Sequence, residues 1–186
     1  MVSYWQVSIP HIMTTLSIIV LGAIIGLFLY AKGRPDTFRL ERRIVVAAPA
    51  EKIFPLVNDF HSWVNWSPWE GLDPNMKRTY EGAQSGVGTK YAWVGEGKVG
   101  AGSMEITNST PSSAILIKLD FEKPFEAHNI TTFTFAPGEG GTEVVWSMEG
   151  HLNLMMKIMH IFMNMEKLVG GDFEKGLMSL RALAEK

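Results

Sequence analysis

The sequence contains no cysteine among its 186 residues. Disulfide bridges, thiolate metal ligands and a cysteine nucleophile are thereby excluded. An excess of basic charge is also missing, since the formal net charge is -2. A nucleic-acid partner, which needs a basic face, is therefore not expected. The histidines show no ligand spacing, so neither a metal nor any other cofactor is expected. The sharpest absence is local. No Asp, Glu, Lys or Arg occurs before Lys32, which implies two different solvents for the two parts of the chain.

Ile12 to Tyr30 is an uncharged run rich in Ile, Leu, Val and Phe. As a helix it is about 28 Å long, close to the ~30 Å hydrocarbon thickness of a bilayer. Pro10 stands just ahead of it, while Tyr4, Trp5 and Tyr30 stand at its two ends, as interfacial aromatics do. A secretory signal would have a basic start, a shorter apolar region and a small-residue cleavage site. None of these is recognisable, so residues 1–31 read as a retained transmembrane anchor. Lys32, Arg34, Arg39, Arg42 and Arg43 follow the run, and the positive-inside bias puts the N-terminus outside and the remainder in the cytoplasm. Gly22 and Gly26 form a GxxxG pair. They either let two anchors pack as a homodimer or merely reflect the frequency of glycine in membrane helices. Residues 32–37 are a short polar linker.

Residues 38–186 make one domain of ordinary size. Phe38 to Val46 reads as a first strand. Ala47 to Asn58 reads as a short helix lined by Ile53, Phe54, Leu56 and Val57, with Pro55 limiting its regularity. Asp59 to Trp69 reads as a second short helix or turn. Strand-like runs follow at Met76–Glu81, Thr89–Val94, Gly102–Asn108, Ala114–Phe121, His128–Ala136 and Thr142–Glu149, with turn residues between them. Ile115, Ile117, Leu119 and Phe121 alternate with Leu116, Lys118 and Asp120, and Val144, Trp146 and Met148 show the same period. One apolar and one wet face is the mark of an antiparallel sheet. The glycines of Gly95 to Gly102 lack the phosphate-loop spacing and read as a hairpin turn. Three glycosylation sequons, starting at Asn65, Asn108 and Asn129, matter only in a glycosylating lumen.

The last stretch, Leu152 to Lys186, reads as one long helix. Asn153, Lys157, His160, Asn164 and Lys167 are spaced four, three, four and three, which predicts a narrow solvated stripe opposite a wide apolar face. Gly170-Gly171 predicts a kink or short break. Beyond it, Phe173, Leu177, Leu180 and Ala184 face one way. The whole reads as an α+β domain whose sheet curls round a terminal helix.

Several stretches resemble the polyketide cyclase/dehydrase family of the START-like, helix-grip (SRPBCC) superfamily. They are Ala48-Pro49-Ala50-Glu51-Lys52-Ile53-Phe54, Trp66-Ser67-Pro68-Trp69-Glu70, Gly86-Val87-Gly88-Thr89, Phe121-Glu122-Lys123-Pro124-Phe125, Gly141-Thr142-Glu143-Val144-Val145-Trp146 and Asp172-Phe173-Glu174-Lys175-Gly176-Leu177. The likeness covers about residues 38 to 186 and not the anchor. It implies a seven-stranded antiparallel sheet curled around the long C-terminal helix, with two short helices closing one end and a cavity for apolar ligands. Such folds host carriers, sensors, cyclases and co-chaperones, so the resemblance does not name an activity.

Trp63, Trp66 and Trp69, beside His61 and Asn65, would form a lid that stacks on a flat ligand, or would plug the open end of the sheet. Strand parity turns Tyr91, Trp93, Met104, Ile106, Ile117, Leu119, Phe121, Phe133, Phe135, Trp146 and Met148 inward. Met155, Met159, Phe162 and Met163 would face them from the helix. Flexible methionines suit a surface that adapts to varied apolar ligands, and the same residues also suit a filled core. For acid–base catalysis Glu105, His128, Glu149 and His160 are conceivable, but nothing in the spacing brings two of them together, and no catalytic residue is assigned. The leading expectation is a membrane-anchored module that binds a small hydrophobic molecule or lipid. The alternatives are a polyketide cyclase/dehydratase-like enzyme and a protein-interaction domain with a filled core.

Overall fold

In the computed structural model, which describes residues 9–97, 99–163 and 165–186, the period-two runs become seven strands. These are β1 (Thr37–Val46), β2 (Lys77–Gly82), β3 (Thr89–Val94), β4 (Ala101–Thr110), β5 (Ala114–Lys123), β6 (Ala127–Gly138) and β7 (Gly141–His151). All pair antiparallel in one sheet, in the order β1-β7-β6-β5-β4-β3-β2. The order follows from hairpin connections, with β1 alone returning to the far edge beside β7. Opposite pairs such as Ile44 with Val144, Phe133 with Trp146 and Met104 with Leu119 set the register. A one-residue slip would turn each apolar set to the wet face. Ile115, Ile117, Leu119, Val144, Trp146 and Met148 are all buried, as their alternation predicts.

The helices are α1 (Ile9–Lys32), α2 (Ala50–Asn58), α3 (Leu154–Phe162) and α4 (Met165–Ala184), with a 3-10 helix at Phe60–Asn65. α2 tolerates Pro55 and buries Ile53, Phe54 and Val57. The Asp59 carboxylate starts the 3-10 helix by accepting the His61 backbone N–H at 2.9 Å. The chain divides into two units. The first holds α1 and α3. The second holds the sheet, α2, the 3-10 helix and α4.

In the first unit α1 is long and apolar enough to cross a membrane. Its large side chains between Ile12 and Tyr30 are mostly exposed. The expected interfacial residues Tyr4 and Trp5 lie outside the described residues.

The C-terminal stretch departs from expectation in two places. The single helix is two helices, with the break between Phe162 and Met165 rather than at Gly170-Gly171, where α4 runs on unbroken. The glycine at 170 serves close approach instead. A Cβ there would collide with the Arg42 guanidinium, which crosses α4 to bond Glu174 at 2.7 Å and Glu166 at 2.8 Å. The solvated stripe is also overturned at Lys157, which is 6% exposed; Asn164, another of its members, lies outside the described residues. Past the break the pattern holds. Phe173, Leu177, Leu180 and Ala184 form the buried face of α4, spaced as a helix packed on a sheet requires.

Two glycines of α4 separate propensity from packing. A Cβ at Gly171 would meet nothing within 4 Å, so Gly171→Ala is expected to raise stability by up to about 1 kcal/mol. A Cβ at Gly176 would lie 2.8 Å from the Trp146 ring, so Gly176→Ala is expected to cost roughly 1–2 kcal/mol despite the better propensity. Urea denaturation of the two variants measures both, and equal responses would contradict the packing of α4 on Trp146.

Candidate functional site

Between the sheet and α4 lies a partly enclosed cavity of about 170 Å³. Strand parity builds most of its wall. Tyr91 and Trp93 come from β3, Met104 from β4, Leu119 and Phe121 from β5, and Trp146 and Met148 from β7. Trp63 and Trp69 enter from the segment after β1, and α4 adds Val169 and Phe173. The wall is therefore largely aromatic and aliphatic, as small-molecule pockets are.

The centre of this wall is the Trp146 indole. It stacks on Phe173 with ring centroids 4.0 Å apart and on Phe133 at 4.8 Å. Trp69, Trp66 and Trp63 meet it edge-on at 5.6, 5.7 and 6.3 Å. Gly176 is what lets α4 approach the ring so closely.

The expected site residues sort by depth. Trp63, Trp69, Tyr91, Trp93, Met104, Leu119, Phe121, Trp146 and Met148 line the cavity. Trp66 and Phe133 do not; both are buried behind Trp146. Parity puts Phe133 on the inner face, while Trp66 belongs to the expected lid or plug; depth is a tertiary quantity in either case. The indole N–H groups of Trp63 and Trp66 donate to the carbonyls of Val57 and Leu56 at 3.0 and 2.9 Å. These two tryptophans thus fasten the 3-10 segment to α2, and Trp69 is the half-buried one. Met155, Met159, Phe162 and Met163 are not among the lining residues. They belong to α3 and the residue after it, in the first unit, because the helix breaks before α4 begins.

Polar groups in the wall were not foreseen as a set. Glu70, Ser67 and Thr131 line the cavity with Tyr91. The Glu70 side chain is only 7% exposed. It accepts the Tyr91 hydroxyl at 2.6 Å and the Arg78 Nε–H at 2.7 Å. Arg78 also donates to the carbonyls of Glu70 and Met76 at 2.9 and 3.0 Å, so the carboxylate is neutralised and fixed. Burial, and then the bond to Glu70, pushes the Tyr91 phenol far above its ordinary value. The guanidinium of Arg78 is held above its usual range by Glu70. A signal was present in Trp69-Glu70, an acid next to an aromatic, but Arg78 and Tyr91 are far from it in sequence.

Among the described residues, the buried Oγ1 of Thr131 and Nε1 of Trp146 have no hydrogen-bond partner. Thr131 faces Met148 across the ladder and Phe133 faces Trp146, so the two orphan groups are diagonal neighbours on one face. The acid–base candidates are elsewhere. Glu105 pairs with Lys90 at 3.7 Å, Glu149 with Arg39 at 3.1 Å and His128 with Asp120 at 2.7 Å. None of these lines the cavity, and His160 lies on α3.

A family model described as "Polyketide cyclase / dehydrase and lipid transport" matches residues 37–185. No curated protein sequence matches the chain. Among solved structures, a protein of Chromobacterium violaceum is similar over 82% of this chain and 99% of its own, with 20% identity and a TM-score of 0.57. The di-domain ARO/CYC protein StfQ from the steffimycin biosynthetic pathway is similar over 80% of this chain and 51% of its own, with 10% identity and a TM-score of 0.62. The Aha1 dimer from Colwellia psychrerythraea is similar over 80% of this chain and 96% of its own, with 14% identity and a TM-score of 0.52. At these identities the likeness is one of fold, the seven-stranded helix-grip architecture.

Two predictions follow from the polar wall. Thr131→Val removes an orphan hydroxyl at constant shape and is expected to stabilise the ligand-free protein by roughly 1 kcal/mol in urea denaturation. Tyr91 is an acid whose folded pKa is raised, so its contribution to stability is complete below its unfolded value of about 10 and is lost as pH rises above it. Tyr91→Phe should therefore flatten the alkaline fall of stability, measured by urea denaturation across that range. An unchanged slope would contradict the burial of the phenol.

Proposed function

We propose that this chain, which belongs to the polyketide cyclase / dehydrase and lipid transport family, is a membrane-anchored module that binds a small hydrophobic molecule between its sheet and α4. The observation that carries this reading is the cavity itself. Its volume of about 170 Å³ is close to that of an engineered apolar cavity of about 150 Å³ that takes up benzene. A single aromatic ring, or the end of a lipid chain reaching in from the open side, is the matching size. The aromatic wall favours a flat ligand.

The anchor complements the cavity. With α1 in the bilayer, the binding domain stays where apolar molecules partition, and the basic residues from Lys32 onward support a cytoplasmic side for it. Added Cβ atoms at Gly22 and Gly26 would meet nothing within 4 Å, which leaves that face of α1 open to a second anchor.

The Glu70–Tyr91 pair favours a second reading, an enzyme of the cyclase/dehydratase type, because it places a carboxylate and a phenol together in the wall. Its chemistry argues for binding instead. A catalytic acid works best with a pKa near the operating pH, whereas burial and Glu70 move Tyr91 further from it. Both Glu70 oxygens already accept a hydrogen bond.

Titrating the full chain, held in lipid nanodiscs, with indole or p-cresol by isothermal titration calorimetry tests the proposal. Saturable one-to-one binding is expected. Met104→Trp, which fills the cavity, is expected to abolish it while costing only about 1–3 kcal/mol of stability. Identical responses from the parent and the filled variant would mean that the probe partitions into lipid and that the cavity does not bind it.

A further inference from the structure

α3 is built inside out for a helix in water. Its only charged residue, Lys157, is 6% exposed, while Met155 is 60% and Phe162 is 72% exposed. The residue after the helix, Met163, is exposed as well. The Lys157 ammonium donates to the Arg34 carbonyl at 2.8 Å and pairs with the Asp36 carboxylate, both just beyond the end of α1. The leucine backbone N–H at 152 donates to the Asp36 carbonyl at 2.7 Å, which joins the two segments a second time. The other polar groups of α3 are accounted for too. The Asn153 side chain accepts the Met156 N–H at 2.9 Å as a cap. Desolvation, then the Arg34 guanidinium, holds the His160 ring below its ordinary value.

A soluble domain turns methionine and phenylalanine inward and lysine outward, because hydration of the ammonium is worth more than burial of its stem. The opposite arrangement is stable when the surrounding medium is itself apolar. We propose that α3 is a second membrane element, an interfacial helix lying in the bilayer surface beside the Lys32 end of α1, with Met155, Phe162 and Met163 in contact with lipid. This rests on the reading that α1 spans the membrane. At nine residues α3 is about 14 Å long, far too short to cross, and an apolar helix of that length lies along the interface. The occupant of its exposed face is lipid rather than a protein groove for two reasons on the same unit. α3 packs against α1, whose large apolar side chains are themselves exposed, and the one lysine of α3 is paired within the unit, leaving no ammonium to direct a protein partner.

The absence of cysteine makes the test direct. Single variants Met155→Cys, Phe162→Cys, Ile25→Cys and Met178→Cys of the full chain are labelled with an environment-sensitive fluorophore and reconstituted in phosphatidylcholine nanodiscs. They are then exposed to aqueous iodide or to lipids carrying a nitroxide near the headgroup or at the chain end. Severalfold stronger quenching by the headgroup-proximal nitroxide than by iodide is expected at 155 and 162. Chain-end quenching is expected at 25, and iodide quenching at 178. Iodide quenching at 155 and 162, with 25 still in lipid, would overturn the interfacial helix and leave the anchor standing. Iodide quenching at 25 would overturn both. Protection of 155 and 162 from either quencher would mean that protein covers α3, and would also overturn the proposal.

Discussion

The Trp146 indole, held between Phe133 on the neighbouring strand and Phe173 on α4, is the contact on which the second unit depends. Each such ring pair adds about 0.5–1.5 kcal/mol beyond the area it buries, and three further tryptophan edges close on the same ring. The stack sets how far α4 stands from the sheet. It also explains why Gly176 is needed, since any side chain there would push the helix off the ring. Rigid rings with fixed separations do not collapse into every gap between them. The cavity beside Trp146 persists because its walls are aromatic planes pinned by their own contacts and, at Trp63, by a hydrogen bond to the backbone.

The polar part of the wall obeys a different constraint. A buried carboxylate survives only when paired and hydrogen-bonded, and Glu70 has both through Arg78 and Tyr91. That satisfaction makes the group a fixed dipole rather than a reactive one. Among the described residues Thr131 Oγ1 and Trp146 Nε1, like Thr89 Oγ1 outside the wall, are buried without a hydrogen-bond partner.

Much of the fold and part of the site were legible from spacing. Period two in β5 and β7 located the inner face, and Tyr91, Trp93, Met104, Leu119, Phe121 and Met148 reached the cavity as that parity requires. The buried face of α4 was legible from Phe173, Leu177, Leu180 and Ala184. Phe133 shares the parity yet does not line the cavity, and no local pattern distinguishes the first layer from the second. Glu70 was hidden because its partners, Arg78 and Tyr91, are brought to it by the β2–β3 pairing. The glycines 170 and 171 misled, since propensity predicts a break where a crossing arginine needs room. Lys157 misled most, because a period of 3.6 reports which residues share a face and not which solvent that face meets.

The sequence by itself determined the charge-free apolar run before Lys32, the seven strands, their inner faces and the apolar face of the last helix. These follow from charge distribution and from periods imposed by backbone geometry, and both are local. Only the tertiary structure decided where the C-terminal stretch breaks, which inward side chains border empty space, and that Glu70, Arg78 and Tyr91 meet. Those outcomes depend on distances between segments far apart in the chain, set by which rigid rings and ion pairs come to rest against one another.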